Sequence, residues 1–104
     1  MILDTETTGL KQAEIIEISI INMSGEVLLD RLIRPRRMQM NPYAFRVHGI
    51  TLEELADQPT LQELLDELSP ILNNNLVLAW NASFDKLMIQ RSLDIWGLGA
   101  IEFR

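Results

Sequence analysis

The chain has 104 residues, 47% of them apolar and 23% charged: enough for one domain with one core, too few for two, and too apolar to be disordered. No apolar run approaches the roughly 20 residues of a membrane span, and no basic leader opens the chain, so the expected setting is the cytoplasm. Cysteine is absent, which excludes disulfides and thiolate sites, and nine basic residues against fifteen acidic ones give a net charge of −6, a field that repels polyanions and disfavours a long grip on duplex phosphates.

In chain order, the first half reads as strands. Residues 1–6 are apolar up to their carboxylates. Residues 15–22 are rich in isoleucine, with Ile16, Ile18 and Ile20 expected on one face and Ile15, Glu17, Ser19 and Ile21 on the other. Ser24-Gly25 supplies a turn, and residues 26–33 return as a third strand. Arg31, Arg34, Arg36 and Arg37 follow closely on one another, either as a solvated surface or as a local phosphate contact. Pro35 and Pro42 bracket an irregular connection.

The second half turns helical. Thr51 with Glu54, and Thr60 with Glu63, each have capping-box spacing. Leu61, Leu64, Leu65 and Leu68 form a buried stripe that Pro70 is expected to kink or end. Glu53, Glu54, Asp57, Glu63, Asp66 and Glu67 read as the exposed face. Asn73-Asn74-Asn75 makes a loop, residues 76–80 read as a strand covered on both faces, and a last helix is expected over about 83–96. The order β-β-β-α-β-α implies an α/β fold with a mixed sheet and flanking helices.

Asp4 and Glu6 stand two apart at a strand end, so both carboxylates share a face roughly 6.5–7 Å apart. Either they fray into solvent, or a divalent metal with oxygen ligands, magnesium or manganese, removes their conflict. Thr7-Thr8-Gly9-Leu10 then offers a tight turn in which glycine lets backbone amides approach a ligand. Asn81-Ala82-Ser83-Phe84-Asp85 lies where the fourth strand enters a helix, the place where open α/β sheets put their sites, and Asp85 there can face the first strand.

These segments resemble the DEDD 3′–5′ exonucleases, the family of the proofreading epsilon subunit of DNA polymerase III and of RNase T. Residues 2–10, Ile-Leu-Asp-Thr-Glu-Thr-Thr-Gly-Leu, look like the first exonuclease motif; residues 81–85 resemble the second, Asn-x-x-Phe-Asp; Val47-His48-Gly49-Ile50-Thr51 is similar to the His-Gly-Ile-Thr stretch of the epsilon-like branch. The resemblance implies an RNase H-like fold and two metal ions, Mg2+ or Mn2+, acting at a phosphodiester. By that analogy Asp4 bridges both ions, Glu6 holds the one carrying the nucleophile, and Asp85 acts on the other directly or through water. Thr7 offers its backbone to the terminal 3′-OH, Leu10 wedges against the last base, His48 and Phe84 line the terminal nucleotide pocket, and Asn81 orients the site. Without that analogy His48 reads as a loop or cap residue, while Phe84, Leu10, Trp80 and Trp96 read as core.

The resemblance also implies a third motif, with a fourth carboxylate and a general-base histidine some five residues before it. No His-x4-Asp follows Asp85. Residues 1–104 are accordingly expected to be a single, incomplete exonuclease domain that binds the 3′ end of single-stranded DNA or RNA with weak or absent hydrolysis. The alternative is an inactive remnant serving as a nucleotide- or metal-binding or protein-interaction module. An uncovered edge at residues 76–80 invites a homodimer unless Trp96, Leu98, Ile101 and Phe103 fold over it.

Overall fold

The computed structural model describes residues 1–9, 13–73, 78–79 and 82–99. Its first half is a meander of β1 (Ile2–Thr7), β2 (Ile15–Ile21) and β3 (Val27–Leu32). The turn between the last two is held by Asn22, whose Oδ1 accepts the Ser24 and Glu26 N–H groups, and by Gly25 at φ +86°, a conformation other residues rarely adopt.

Four helices and one more strand follow: α1 (Pro42–His48), α2 (Leu52–Leu55), α3 (Leu61–Leu72), β4 (Leu78–Ala79) and α4 (Ala82–Ile95). The chain returns to the sheet so that β4 runs parallel to β1, while β1, β2 and β3 pair antiparallel in the order β3-β2-β1-β4. The sheet is therefore mixed, as the expected fold class requires, and β1 occupies an interior position. Leu76, Trp80 and the tail residues Ile101 and Phe103 lie outside the described residues, as do Asn74 and Asn75.

Both predicted capping boxes form: the Thr51 and Thr60 hydroxyls accept the Glu54 and Glu63 amides, and each glutamate reaches back to its threonine. The leucine stripe of α3 packs with Met88, Ile89 and Leu93 of α4 on one sheet face, over Leu3, Ile18, Ile20 and Leu29. The six acidic residues from Glu53 to Glu67 are all exposed. No helix among the described residues is long and apolar enough to cross a membrane.

Three expectations are corrected. The second strand does not alternate cleanly, because its register with β1 shifts between Glu6 and Thr7. Ile15 therefore joins Ile18 and Ile20 in the main core, while Ile16 turns to a second cluster with Ile50 and Leu55. Pro70 does not end α3, which runs two residues further. The proline sits in the last turn, where it removes only its own N–H from the ladder, and beyond it the Asn73 N–H still returns to Ser69 O at 2.8 Å. The irregular connection leads into an unexpected helix, α1, capped by Asn41, started by Pro42 and ended by Gly49 at φ +70°.

Candidate active site

Alternation along β1 places Asp4 and Glu6 on the sheet face opposite the main core. Asp4 is exposed and Glu6 half-buried. Directly across from Glu6 on β2 stands Glu17, also half-buried, and Asp30 of β3 lies across from Ser19. Burial pushes the Glu6 carboxyl above its ordinary range; Asp4 adds to this, His48 opposes it, and Glu17 and Asp85 add smaller repulsions. Burial also raises Glu17, with Asp30 and Asp4 reinforcing it and His48 opposing it. The acidic face thus reaches further than the pair read from the sequence. Glu17 was missed as a site residue because the cross-strand register that sets it against Glu6 is a long-range fact.

The third predicted carboxylate approaches β1 from α4. Asp85, in the first turn of that helix, is 7% exposed, and its Oδ1 accepts the Thr5 hydroxyl at 2.6 Å. Burial raises its carboxyl, the Thr5 hydrogen bond lowers it, and Asp4 raises it again. Thr5 was also missed, although its place between Asp4 and Glu6 signals a side chain aimed at the opposite face.

Beyond Glu6 the chain turns at Thr7-Thr8-Gly9, and three residues, Glu14, Asn41 and His48, hold that turn. The Thr8 N–H donates to Glu14 O and the Glu14 N–H to Thr8 Oγ1. The Asn41 N–H donates to Thr8 O at 2.8 Å. His48 Nδ1 accepts the Ile50 N–H at 2.9 Å, so the proton lies on Nε2, which donates to Thr7 O at 3.0 Å. Both ring nitrogens of His48 are therefore engaged. Gly9 is needed for a neighbour within the chain: a Cβ there would meet Asn41 Cβ at 3.0 Å.

Helix α1 is consequently tied at both ends to this one turn while burying none of its own residues. Beneath it lies a cleft of about 260 Å³ lined by Glu6, Thr7, Gly9, Asn41, Tyr43, Ala44, Val47 and His48. Of the predicted pocket residues, Thr7 and His48 line it with Glu6. Phe84 packs instead against the main core and is not among its lining residues. Leu10 and Asn81 lie outside the described residues.

The arginine stretch is largely used within the fold. Arg31 pairs with Glu67 at 3.1 Å. Arg36 donates to Ile95 O and lies over the Trp96 ring. The buried Glu14 carboxylate accepts the Arg36 and Arg37 N–H groups and faces the Arg37 guanidinium. Trp96 itself is half-buried against the main core.

As a donor set, Asp4, Glu6 and Asp85 offer only hard oxygens, and Asp4 raises the carboxyls of both others, the repulsion a divalent cation relieves. Among the described residues no three acidic or imidazole groups are gathered around one point. The chemistry of the set suits magnesium or manganese, while Asp85 is held at Thr5.

A family model described as exonuclease, of the RNase T type, matches residues 1–93. DNA polymerase III subunit epsilon of Buchnera aphidicola is 34% identical over 106 residues, covering 91% of this chain and 44% of the relative. An uncharacterized exonuclease of Escherichia phage 186 is 32% identical, covering 92% and 50% respectively. The chain therefore spans about half the length of the relatives it matches. The structure of exonuclease X in complex with 5′ overhanging duplex DNA superposes with a TM-score of 0.68 at 33% identity, over 85% of this chain and 52% of that one.

Proposed function

The chain belongs to this exonuclease family, and on that premise we propose that it binds the 3′ end of a single-stranded DNA or RNA and presents its last phosphodiester to a divalent cation. The observation that carries the reading is that Glu6, two residues from Asp4 on β1, lines the cleft under α1, with Asp85 brought to the same strand at Thr5.

Asp4 and Glu6 would hold the cation, Mg2+ or Mn2+, and Asp85 would act on a second one directly or through water. Such ions, when bound, activate the attacking water and stabilise the leaving 3′ oxygen. The chain's own residues do the rest. Val47, Ala44 and Tyr43 give the terminal base an apolar wall, and the Thr7–Gly9 turn faces the sugar. His48, with both nitrogens committed to backbone hydrogen bonds, fixes that turn and serves no other group. Leu10 and Asn81 keep their roles as wedge and orienting group within this proposal.

Residues 86–104 supply no His-x4-Asp, so hydrolysis by this stretch alone is expected to be slow compared with strand binding. A cytoplasmic setting fits that role, and a homodimer through β4, which stands at one end of the sheet, is the way a second copy would add to it.

The test is a 3′-labelled oligonucleotide with manganese, comparing the chain with Asp4→Ala. Metal-dependent strand binding, lost in Asp4→Ala, is the expected result, with mononucleotide release as the measure of remaining catalysis. Binding without any release favours the non-catalytic module. Absence of both cation and strand binding overturns the proposal.

A further inference from the structure

We infer that the free edge of β3 is a docking strand for an extended peptide segment that sets an apolar side chain beside a lysine or arginine. The edge lies at the opposite end of the sheet from β4, and the inference does not draw on the functional reading above.

The register decides which backbone groups of β3 are available. The Ile33 N–H donates to Ile16 O at 2.7 Å, and Ile18 and Ile20 stand opposite Arg31 and Leu29. In an antiparallel pair every second residue exchanges hydrogen bonds with its neighbour. Ile33, Arg31 and Leu29 therefore turn their groups to β2, while Asp30 and Leu32 turn theirs to the open side. Among the described residues no hydrogen bond reaches them there. The next outward position, Arg34, is already taken: its N–H donates to Pro59 O at 2.9 Å, and Arg34 forms an isolated parallel bridge with Thr60. The edge thus accepts a strand where the chain supplies one. It carries neither the lysine nor the proline that commonly blunts an exposed edge.

Beside this edge lies a groove of about 540 Å³ between β3 and α3. Its lining includes Leu28, Leu29 and Ile71, which pack in or against the main core, and the Arg31–Glu67 pair joins its strand side to its helix side at 3.1 Å. A residue added opposite Leu29 sends its side chain to this face, where an apolar group suits the three aliphatic neighbours. One added opposite Asp30 sends its side chain to the other face. There Asp30 is exposed, has no ion-pair partner among the described residues, and stands close enough to Glu17 to raise that carboxyl. A lysine or arginine answers this charge. Charge also argues against a second copy of the chain as the occupant. Two chains of −6 repel each other. In an edge-to-edge pair, moreover, only outward-turned residues exchange hydrogen bonds, so Asp30 cannot come opposite the partner's Arg31.

The experiment adds two end-blocked peptides, Thr-Thr-Val-Lys-Val-Thr-Thr and Thr-Thr-Val-Glu-Val-Thr-Thr, to the isotope-labelled chain and follows its amide resonances. Both peptides read the same in either strand direction. The lysine peptide is expected to shift the Asp30 and Leu32 amides and slow their exchange. It should bind about fivefold or more tighter than the glutamate peptide, the difference between opposite and like charges across a strand pair. Asp30→Lys, a substitution at an exposed position, should reverse that order. No response of these amides to either peptide at millimolar concentration overturns the inference. Equal affinity for the two peptides, or an unchanged order in Asp30→Lys, overturns the partner chemistry argued from Asp30. Shifts at Asp30 and Leu32 that grow with protein concentration, with a doubled mass on sedimentation and no peptide response, put a second copy on the edge and overturn the inference likewise.

Discussion

Glu6 and Glu17 face each other across two strands with carboxyls that both hold their protons more tightly than an ordinary glutamate. A group whose folded pKa is raised binds protons better in the fold than in the unfolded chain, so its contribution to stability is complete below the unfolded value and disappears as pH rises through the folded one. For Glu6 that window opens upward from 4.5, its ordinary value. The metal-free protein should therefore gain melting temperature from this group on acidification from neutrality, and Glu6→Gln should flatten that gain. The same variant should melt higher than wild type near neutral pH without metal, yet lose any stabilisation by manganese. Scanning calorimetry across pH, with and without the ion, checks both signs. The sequence made Asp4 and Glu6 legible because alternation along one strand is local. Glu17 and the swap of Ile15 for Ile16 were not legible, since both depend on a bulge in the pairing with β1.

The elements are joined by a few buried polar contacts whose removal should be measurable. Ser92 is 1% exposed and is the hydrogen-bond acceptor for the Ile15 N–H. Ser92→Ala leaves that buried donor without its partner, and the expected loss is about 1–3 kcal/mol by urea unfolding. Glu14, 2% exposed, accepts two consecutive amides at Arg36 and Arg37. Glu14→Ala should destabilise by about 3 kcal/mol or more, because the turn amides and a nearby guanidinium lose their acceptor. Helices α2 and α3 were readable from their Thr-x-x-Glu starts, and α4 from its apolar spacing. Helix α1 carried equally good local signals in Asn41, Pro42 and Gly49. It escaped because it has no buried stripe, the pattern by which helices are usually recognised.

For the molecule as a whole, a charge of −6 sits beside a site proposed to take phosphates. Three of the four clustered arginines are engaged within the fold, so this cluster offers little to hold a long strand. Strand binding should accordingly show a shallow salt dependence, with a log–log slope of about −1, as for one or two neutralised phosphates. Anisotropy titrations between low and moderate salt measure it, and a slope several-fold steeper would place the strand elsewhere on the surface. The mixed sheet and the helical second half followed from the order of patterns in the chain. That Asp85 faces the first strand was legible from its place after the fourth strand; that Thr5 is the side chain it meets there is a product of tertiary packing that residue spacing does not encode.

Helix α1 spans one wall of the cleft with every side chain outside the core, held by hydrogen bonds to Thr7 and Thr8 at its two ends. Its local opening free energy is therefore far below that of α3 or α4. Amide deuterium uptake should pass through residues 43–48 by brief detachment of this helix, at a rate indifferent to global unfolding. A strand end seated beneath it would supply the apolar contact that the protein itself does not, so protection in this segment should rise on binding while the sheet amides stay as they were. The wall of the site would thus be the part of the molecule whose order a bound strand end completes.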